Sequence, residues 1–211
     1  MDYCTLGRSG LRVSRLNLGA MTFGTGTGIW QSIAALDREQ TTRLVALAVE
    51  RGVNLIDTAD AYSQGQSEQR VGEALTALGL DESRMLVATK VRLRTGPGPN
   101  DVGLGRSHIL RAVETSLKRI GRDHVDLLQL HDRDALVPLA ETCARSTTWC
   151  AKARCATWAR AILAPRNWSA RTPSPQPATA RALPATKFTT RSPRATWSTR
   201  SPPWRASAGW P

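Results

Sequence analysis

Apolar residues in the first 141 positions form short continuous runs that alternate with segments of helical periodicity. The continuous runs predict buried strands over residues 16–21, 53–57, 85–91 and 124–130. Apolar residues recur at helical spacing over 39–51, 67–78 and 107–120, and each of these segments is followed by glycine. Ser67 and Ser107 are the expected N-caps, and a fourth helix is expected to begin behind Pro138.

The alternation of strands and helices indicates a parallel sheet covered by helices, because each strand is apolar along nearly its whole length. Both a doubly wound sheet and a β/α barrel satisfy this pattern. The phosphate-binding motifs of the first, GxGxxG after a strand or GxxxxGKS, do not occur. The glycine-rich run Gly24–Gly28 opens no recognisable helix, so it is interpreted as a flexible loop.

A polar group follows the apolar part of three successive strands. Asp57 ends the second strand with Tyr62 five residues on, Lys90 comes at the end of the third, and His131 follows the fourth. Each alone has a structural explanation, as a turn cap, a loop aromatic, a solvated strand end or a histidine near the core. Together, at the end of the strands where a β/α barrel places its catalytic groups, they indicate an active site.

The chemistry of these four side chains fits the reduction of a carbonyl group. A phenol is a weak acid, and an ammonium group beside it stabilises the phenolate and so strengthens the acid. Lys90 can supply that cation to Tyr62, and Asp57 can balance the buried Lys90. His131 can donate a hydrogen bond to the substrate carbonyl.

Six motifs follow one another in the first two thirds of the chain: Leu6-Gly-Arg-Ser-Gly-Leu-Arg-Val-Ser14, Leu18-Gly-Ala-Met-Thr-Phe-Gly24, Asp57-Thr-Ala-Asp-Ala-Tyr62, Ala88-Thr-Lys90, Ser116-Leu-Lys-Arg-Ile-Gly121 and Leu127-Leu-Gln-Leu-His131. In their order and spacing, the residues from about Tyr3 to Glu141 resemble the aldo-keto reductase superfamily. The resemblance implies a (β/α)8 TIM barrel that uses NADPH to reduce aldehydes or ketones, a small-molecule carbonyl substrate.

The resemblance also assigns roles to individual residues. Tyr62 would be the proton donor, Lys90 and Asp57 its tuning pair, and His131 the residue that orients the carbonyl. The nicotinamide would lie near Thr22 and Asp57. No dinucleotide-binding glycine motif is expected, because this family holds the cofactor across the barrel mouth.

The composition changes abruptly after Glu141. Residues 1–141 contain seventeen acidic and seventeen basic side chains, whereas residues 142–211 contain twelve Lys and Arg, six of the seven Trp and no acid, so the whole net charge of +12 lies there. We therefore divide the chain into residues 1–141, half of a barrel of about four βα units, and residues 142–211. This tail has no strand that its sequence supports, and its composition is typical of disorder.

A shift of reading frame explains the same tail. If each codon is regrouped as the last base of the preceding codon plus its own first two, Cys150 becomes a forced Val and Ala159 a forced Gly, since both follow Trp. Residues 150–162 then permit V-R-K-G-K-V-R-Y-V-G-A-S-N, which resembles the fifth strand of the family with its carboxamide-binding Ser-Asn pair. Residues 188–200 permit V-Y-Y-S-L-A-E-R-D-V-E-H-E, which resembles the sixth strand and its cofactor-stacking Tyr.

The remaining expectations concern partners and compartment. The four cysteines lack CxxC spacing and paired His, so we expect neither a metal site nor a disulfide framework. No apolar run is long enough to span a bilayer and no signal peptide is evident, so a cytosolic protein is expected. A truncated barrel would have impaired activity. The alternative is a non-enzymatic product whose Trp- and Arg-rich tail binds nucleic acid nonspecifically, which the sequence disfavours.

Overall fold

The computed structural model describes residues 1–7 and 9–138 in full, and the backbone of residues 155–160. The chain opens with an antiparallel hairpin that the sequence pattern did not predict, made of β1 (Tyr3–Thr5) and β2 (Arg12–Ser14). Leu6 and Val13 of this hairpin are buried in one cluster with Leu55, Ala88 and Leu127 of the main sheet. The hairpin therefore packs its apolar side chains against the main sheet.

The main sheet is parallel and has five strands in chain order. They are β3 (Leu18–Gly19), β4 (Leu55–Asp57), β5 (Leu86–Val91), β6 (Val125–Leu130) and β7 (Cys155–Arg160). A doubly wound sheet reverses its strand order at a switch point, whereas a β/α barrel adds each strand beside the previous one. The uninterrupted order identifies the barrel architecture, as the resemblance predicted.

Helices connect the strands and cover one face of the sheet. They are α1 (Trp30–Ile33), α2 (Arg38–Glu50), α3 (Gln66–Ala77) and α4 (Arg106–Ile120), and a 3₁₀ turn, Tyr62–Gly65, leads into α3. The core between helices and sheet is continuous and includes Val71, Ile109, Val113 and Leu128. Within the described part of the chain, no helix is long and apolar enough to cross a membrane.

Helix starts differ from the expected caps. Ser67 lies inside α3 and Ser107 inside α4, so the prediction that they are N-caps is wrong; glycines precede both helices. The hydroxyl of Ser67 instead donates to the carbonyl of Ala20 at 2.6 Å and shares a hydrogen bond of 2.8 Å with Thr58. Ser67 therefore joins the loops at the strand ends, and it lies too far into α3 to cap its first turn.

Strand β7 corrects the expectation that the tail contributes no strand. Its backbone pairs in parallel with β6, with Leu127 opposite Thr157 and Gln129 opposite Ala159. A parallel edge strand needs only backbone groups that can pair. The other tail residues, and the helix expected behind Pro138, lie outside the described residues.

Candidate active site

Lys90 is the centre of the site, and its ammonium group is fully used. Nζ donates to Asp57 Oδ2 at 2.8 Å, to the carbonyl of Thr58 at 2.8 Å and to Tyr62 Oη at 3.3 Å. An ammonium has three hydrogens, so these three acceptors account for all of them. Register explains the convergence: Asp57 lies beside Ala88, two residues before Lys90 on the same face of β5.

Asp57 is held from a second side by the neighbouring strand. Gln129 Nε2 donates to Asp57 Oδ1 at 2.7 Å, and the Asp57 side chain remains 25% exposed. Each carboxylate oxygen has two lone pairs, so each can accept one further hydrogen bond. Asp57 therefore pairs with Lys90 and still offers acceptors to a ligand.

Tyr62 lies in the loop between β4 and α3, in a segment of unusual backbone conformation. Ser63 and Gln64, which follow it, both have left-handed conformations, with φ of 49° and 57°. The Tyr62 ring meets the His131 ring edge-on, with centroids 5.6 Å apart, and lies 5.7 Å from the Trp30 ring. Two aromatic neighbours and Lys90 thus define the position of the phenol.

His131 follows β6 directly and is anchored by its backbone N–H, which donates to the carbonyl of Val91 at 3.0 Å. Burial, and then the nearby Lys90 ammonium, lower the pKa of His131, so the imidazole is neutral at pH 7. Nδ1 is buried and has no hydrogen-bond partner among the described residues. Nε2 is therefore the ring nitrogen that can serve a ligand.

Thr22 lies in the loop that follows β3, whose last residue pairs with Asp57. Its side chain is exposed, while its carbonyl accepts hydrogen bonds from the backbone N–H groups of Ala35 and Leu36. The structure thus brings Asp57, Tyr62, Lys90 and His131 into one constellation. Thr22 lies at the end of the neighbouring strand and makes no hydrogen bond to these four.

Sequence reasoning missed three residues that contact the constellation. Gln129 has a detectable signal, because it stands two positions before His131 and so shares the strand alternation that exposes polar groups at the mouth. The carbonyl of Thr58 and the ring of Trp30 have no such signal. A backbone acceptor leaves no trace in side-chain pattern, and Trp30 begins α1, a four-residue helix that is too short to show a periodicity.

A second polar cluster lies behind the site, on the helix side of β5. Glu68 is fully buried, accepts a hydrogen bond of 2.6 Å from Thr89 and pairs with Arg119 at 3.1 Å. Arg119 also donates to the carbonyl of Asp60 at 3.1 Å. Burial raises the pKa of Asp60 to about 8, with the adjacent Glu68 adding to the rise. This cluster was not predicted.

A cluster with metal-ligating side chains lies elsewhere. Glu82, Asp123 and His124 bring one ligand atom each to within 4.8 Å of one another. Glu82 and His124 precede β5 and β6, so this cluster is at the opposite end of the sheet from Lys90. It has no part in the constellation described above.

Comparison with known proteins identifies the family. The model of the aldo/keto reductase family matches residues 15–151. The chain therefore belongs to the aldo/keto reductase family, a family of oxidoreductases that act on carbonyl compounds with nicotinamide cofactors.

Individual relatives agree with this assignment. A probable voltage-gated potassium channel subunit beta from Arabidopsis thaliana is 40% identical over 143 residues, which covers 67% of this chain and 40% of the relative. Versiconal hemiacetal acetate reductase from Aspergillus parasiticus is 38% identical over 158 residues, covering 67% and 45%. The chain spans less than half the length of the curated relatives named here.

A solved structure shows the same fold. The holo form of aldo-keto reductase AKR11C1 from Bacillus halodurans superposes with a TM-score of 0.63 at 31% sequence identity. The match covers 76% of this chain and 50% of that one. The TIM-barrel fold class predicted from the motifs is thereby confirmed.

Proposed function

We propose that the site belongs to a cytoplasmic, NADPH-dependent reductase of aldehydes or ketones, which yields the corresponding alcohols. The observation that carries this proposal is the hydrogen bonding of Lys90. Since the ammonium donates to Tyr62 Oη, the phenol oxygen acts as acceptor there, and its own hydrogen is left to point elsewhere. A phenol arranged in this way is a proton donor for a bound carbonyl.

The residues divide the work as follows. Tyr62 holds and then transfers the proton to the carbonyl oxygen, and the Lys90 ammonium stabilises the phenolate that remains. Asp57 balances the charge of Lys90 and holds the ammonium in place through the 2.8 Å contact. Neutral His131, carrying its hydrogen on Nε2, donates to the carbonyl oxygen and fixes its direction.

The residues present fit the nicotinamide half of the cofactor. Thr22 offers an exposed hydroxyl in the loop after β3, and Asp57, which pairs with the last residue of β3, retains free lone pairs on both oxygens. These groups would hold the ribose and carboxamide side of the cofactor. When bound, the reduced nicotinamide supplies the hydride that reaches the carbonyl carbon. The preference for NADPH over NADH rests on the family resemblance.

We propose that the chain as written has weak reductase activity at most. The groups that would clamp the carboxamide, stack on the nicotinamide and bind the 2′-phosphate correspond to positions after Glu141, where the written residues depart from the family pattern. A single-base shift near Thr142 accounts for this departure. Strand β7 lies beside β6, where the shifted frame reads V-R-Y-V-G-A and a β/α barrel has its fifth strand.

Two versions of the protein test these proposals together. NADPH is titrated by fluorescence, and its oxidation with a panel of small aldehydes is followed, for the chain as written and for a version with the frame restored at codon 142. We expect binding and turnover in the restored version and little of either in the chain as written. Micromolar binding with turnover by the chain as written would contradict the proposed impairment. Inactivity of a folded restored version would contradict the reductase.

The basic tail carries the second candidate function. Its twelve cations and six Trp could contact phosphates and stack on bases. We favour an unselected product of the shifted frame, because codons rich in G and C encode Arg, Ala and Pro. Salt-dependent binding of single-stranded DNA by the chain as written, absent from the restored version, would support nucleic-acid binding instead.

A further inference from the structure

The loop that carries Tyr62 is held in a conformation that its own sequence disfavours. Ser63, Gln64 and Gly65 have φ values of 49°, 57° and 91°, so three successive residues are left-handed. Left-handed backbone costs a non-glycine residue about 1–2 kcal/mol, and such strain persists only where surrounding contacts impose it. Contacts outside the loop must therefore set the position of Tyr62.

The contacts on the helix side of the loop come from α3 and α4. Arg119 donates through Nη1 to the carbonyl of Asp60, inside the loop, and to Glu68 Oε2, just after it. A Cβ at Gly65 would collide with the Arg119 guanidinium, so the loop lies directly against this side chain. Glu68 is fully buried and Arg119 has a side-chain exposure of 21%.

The same pair reaches the strand that carries Lys90. Glu68 Oε1 accepts from Thr89, the residue before Lys90, at 2.6 Å. The backbone N–H of Asp60 donates to the carbonyl of Lys90 at 3.1 Å. The buried carboxylate thus joins the Tyr62 loop to β5 through bonds that face away from the substrate.

We propose that Glu68 and Arg119 are positioning residues that fix the Tyr62 hydroxyl over the Lys90 ammonium. Neither residue touches the phenol, the ammonium or a carbonyl substrate; they act through the loop and the strand. Burial keeps the nearby Asp60 carboxyl protonated at pH 7, so the cluster holds one carboxylate and one guanidinium in balance. The inference rests on the proposed role of Tyr62, since a misplaced phenol matters only if it donates a proton.

The chain is well suited to a direct test, because it contains two tyrosines, Tyr3 and Tyr62. The protein as written is labelled with 3-fluorotyrosine, and the two ¹⁹F resonances are assigned with Tyr3→Phe. In Glu68→Gln and Arg119→Met, we expect the Tyr62 resonance to shift or split while that of Tyr3 stays in place. Arg122→Met is the matched control. Arg122, like Arg119, is largely buried and donates to backbone carbonyl oxygen, but its two acceptors, Leu80 and Met85, lie at the other end of the sheet.

Three results would contradict the proposal. The first is a Tyr62 resonance that does not move in a folded Arg119→Met. The second is a shift of that resonance in Arg122→Met as large as the shift in Arg119→Met. The third is a Tyr62 resonance in the unsubstituted chain as written that coincides with its value in urea. If Arg119→Met unfolds, Thr89→Ala removes one hydrogen bond of the cluster and is expected to move the same resonance. The catalytic proposal is separable, because turnover is measured in the restored version. A shifted resonance without any turnover by the folded restored version overturns the reductase and keeps the positioning pair, whereas turnover by the restored version with an unmoved resonance does the reverse.

Discussion

Two ion pairs lie on opposite sides of the Tyr62 loop and differ in what they leave free. Asp57 and Lys90 face the barrel interior at 2.8 Å, and the carboxylate is 25% exposed with acceptor sites to spare. Glu68 and Arg119 face the helices at 3.1 Å, and the carboxylate, which like Asp57 accepts one hydrogen bond on each oxygen, is fully buried. The inner pair, Asp57 and Lys90, therefore leaves acceptor positions accessible from outside, whereas the carboxylate of the outer pair, Glu68 and Arg119, is enclosed by protein. Disrupting each pair should therefore affect different properties.

The largest effect is expected from the inner pair. Lys90→Met removes the cation that supports the Tyr62 phenolate, and the turnover number of the restored-frame protein should fall about 10²–10⁴-fold, the range for loss of acid–base assistance. Steady-state oxidation of NADPH with an aldehyde measures it. Thermal unfolding of the same variant provides the control for folding. Turnover close to the parent value would show that Lys90 does not support the proton donor.

Disrupting the outer pair, Glu68 and Arg119, should lower the free energy of unfolding. Glu68→Gln leaves the Arg119 guanidinium partly buried without its carboxylate, and the free energy of unfolding should fall by about 3 kcal/mol. Urea denaturation measures this difference. Glu39→Gln is the matched control, because Glu39 pairs with Arg43 at 3.0 Å on the exposed face of α2, where an ion pair contributes at most about 0.5 kcal/mol. Equal losses in the two variants would contradict the contrast between buried and exposed pairs.

The protonated Asp60 predicts a pH dependence next to the outer pair. The pKa of Asp60 is about 8 in the folded chain, well above that of an unfolded Asp. Between these values the unfolded state releases a proton that the folded state retains. The free energy of unfolding should therefore fall as the pH rises from about 4 to 8, by up to about 1.4 kcal/mol per pH unit. Asp60→Asn should reduce this slope, and denaturation at several pH values would test it; identical slopes would show that Asp60 is ionised in the fold.

The smallest expected effect is the difference in unfolding free energy between two Gly→Ala variants, which separates backbone strain from contact with Arg119. Gly65 and Gly121 both have positive φ, at 91° and 75°, but no atom lies within 4 Å of a Cβ placed at Gly121. Gly121→Ala should cost about 1 kcal/mol from left-handed strain alone. Gly65→Ala should cost more, because its Cβ also displaces the Arg119 guanidinium. Comparable unfolding free energies for the two variants would mean that Arg119 does not press on the loop.

The inner site was largely predictable from sequence, and the outer pair was not. Asp57, Lys90 and His131 follow apolar strands, and parallel strands bring their carboxyl ends to one edge, so pattern alone predicts that these groups meet. Glu68 looks like an ordinary acidic residue in the first turn of a helix. Its burial depends on how α3 and α4 pack around Gly65, a tertiary fact that local periodicity does not contain.

The secondary structure was also predictable only in part. The four predicted strands and three predicted helices exist with ends shifted by a few residues, because apolar runs determine burial but not the exact start of hydrogen bonding. The hairpin of β1 and β2 was missed, since each strand has three residues, too few to show an alternating apolar pattern. Strand β7 was missed because its sequence lacks an apolar run, and its position is set by pairing with β6.

The central claim is that Tyr62 donates the proton in a carbonyl reduction. Its most direct test compares the restored-frame protein with Tyr62→Phe, using Tyr3→Phe as control, in NADPH-dependent reduction of an aldehyde. We expect turnover by the restored-frame protein and by its Tyr3→Phe variant. In Tyr62→Phe, the turnover number should fall at least about 100-fold while NADPH binding is retained. Turnover by Tyr62→Phe equal to that of the restored-frame protein would contradict the claim.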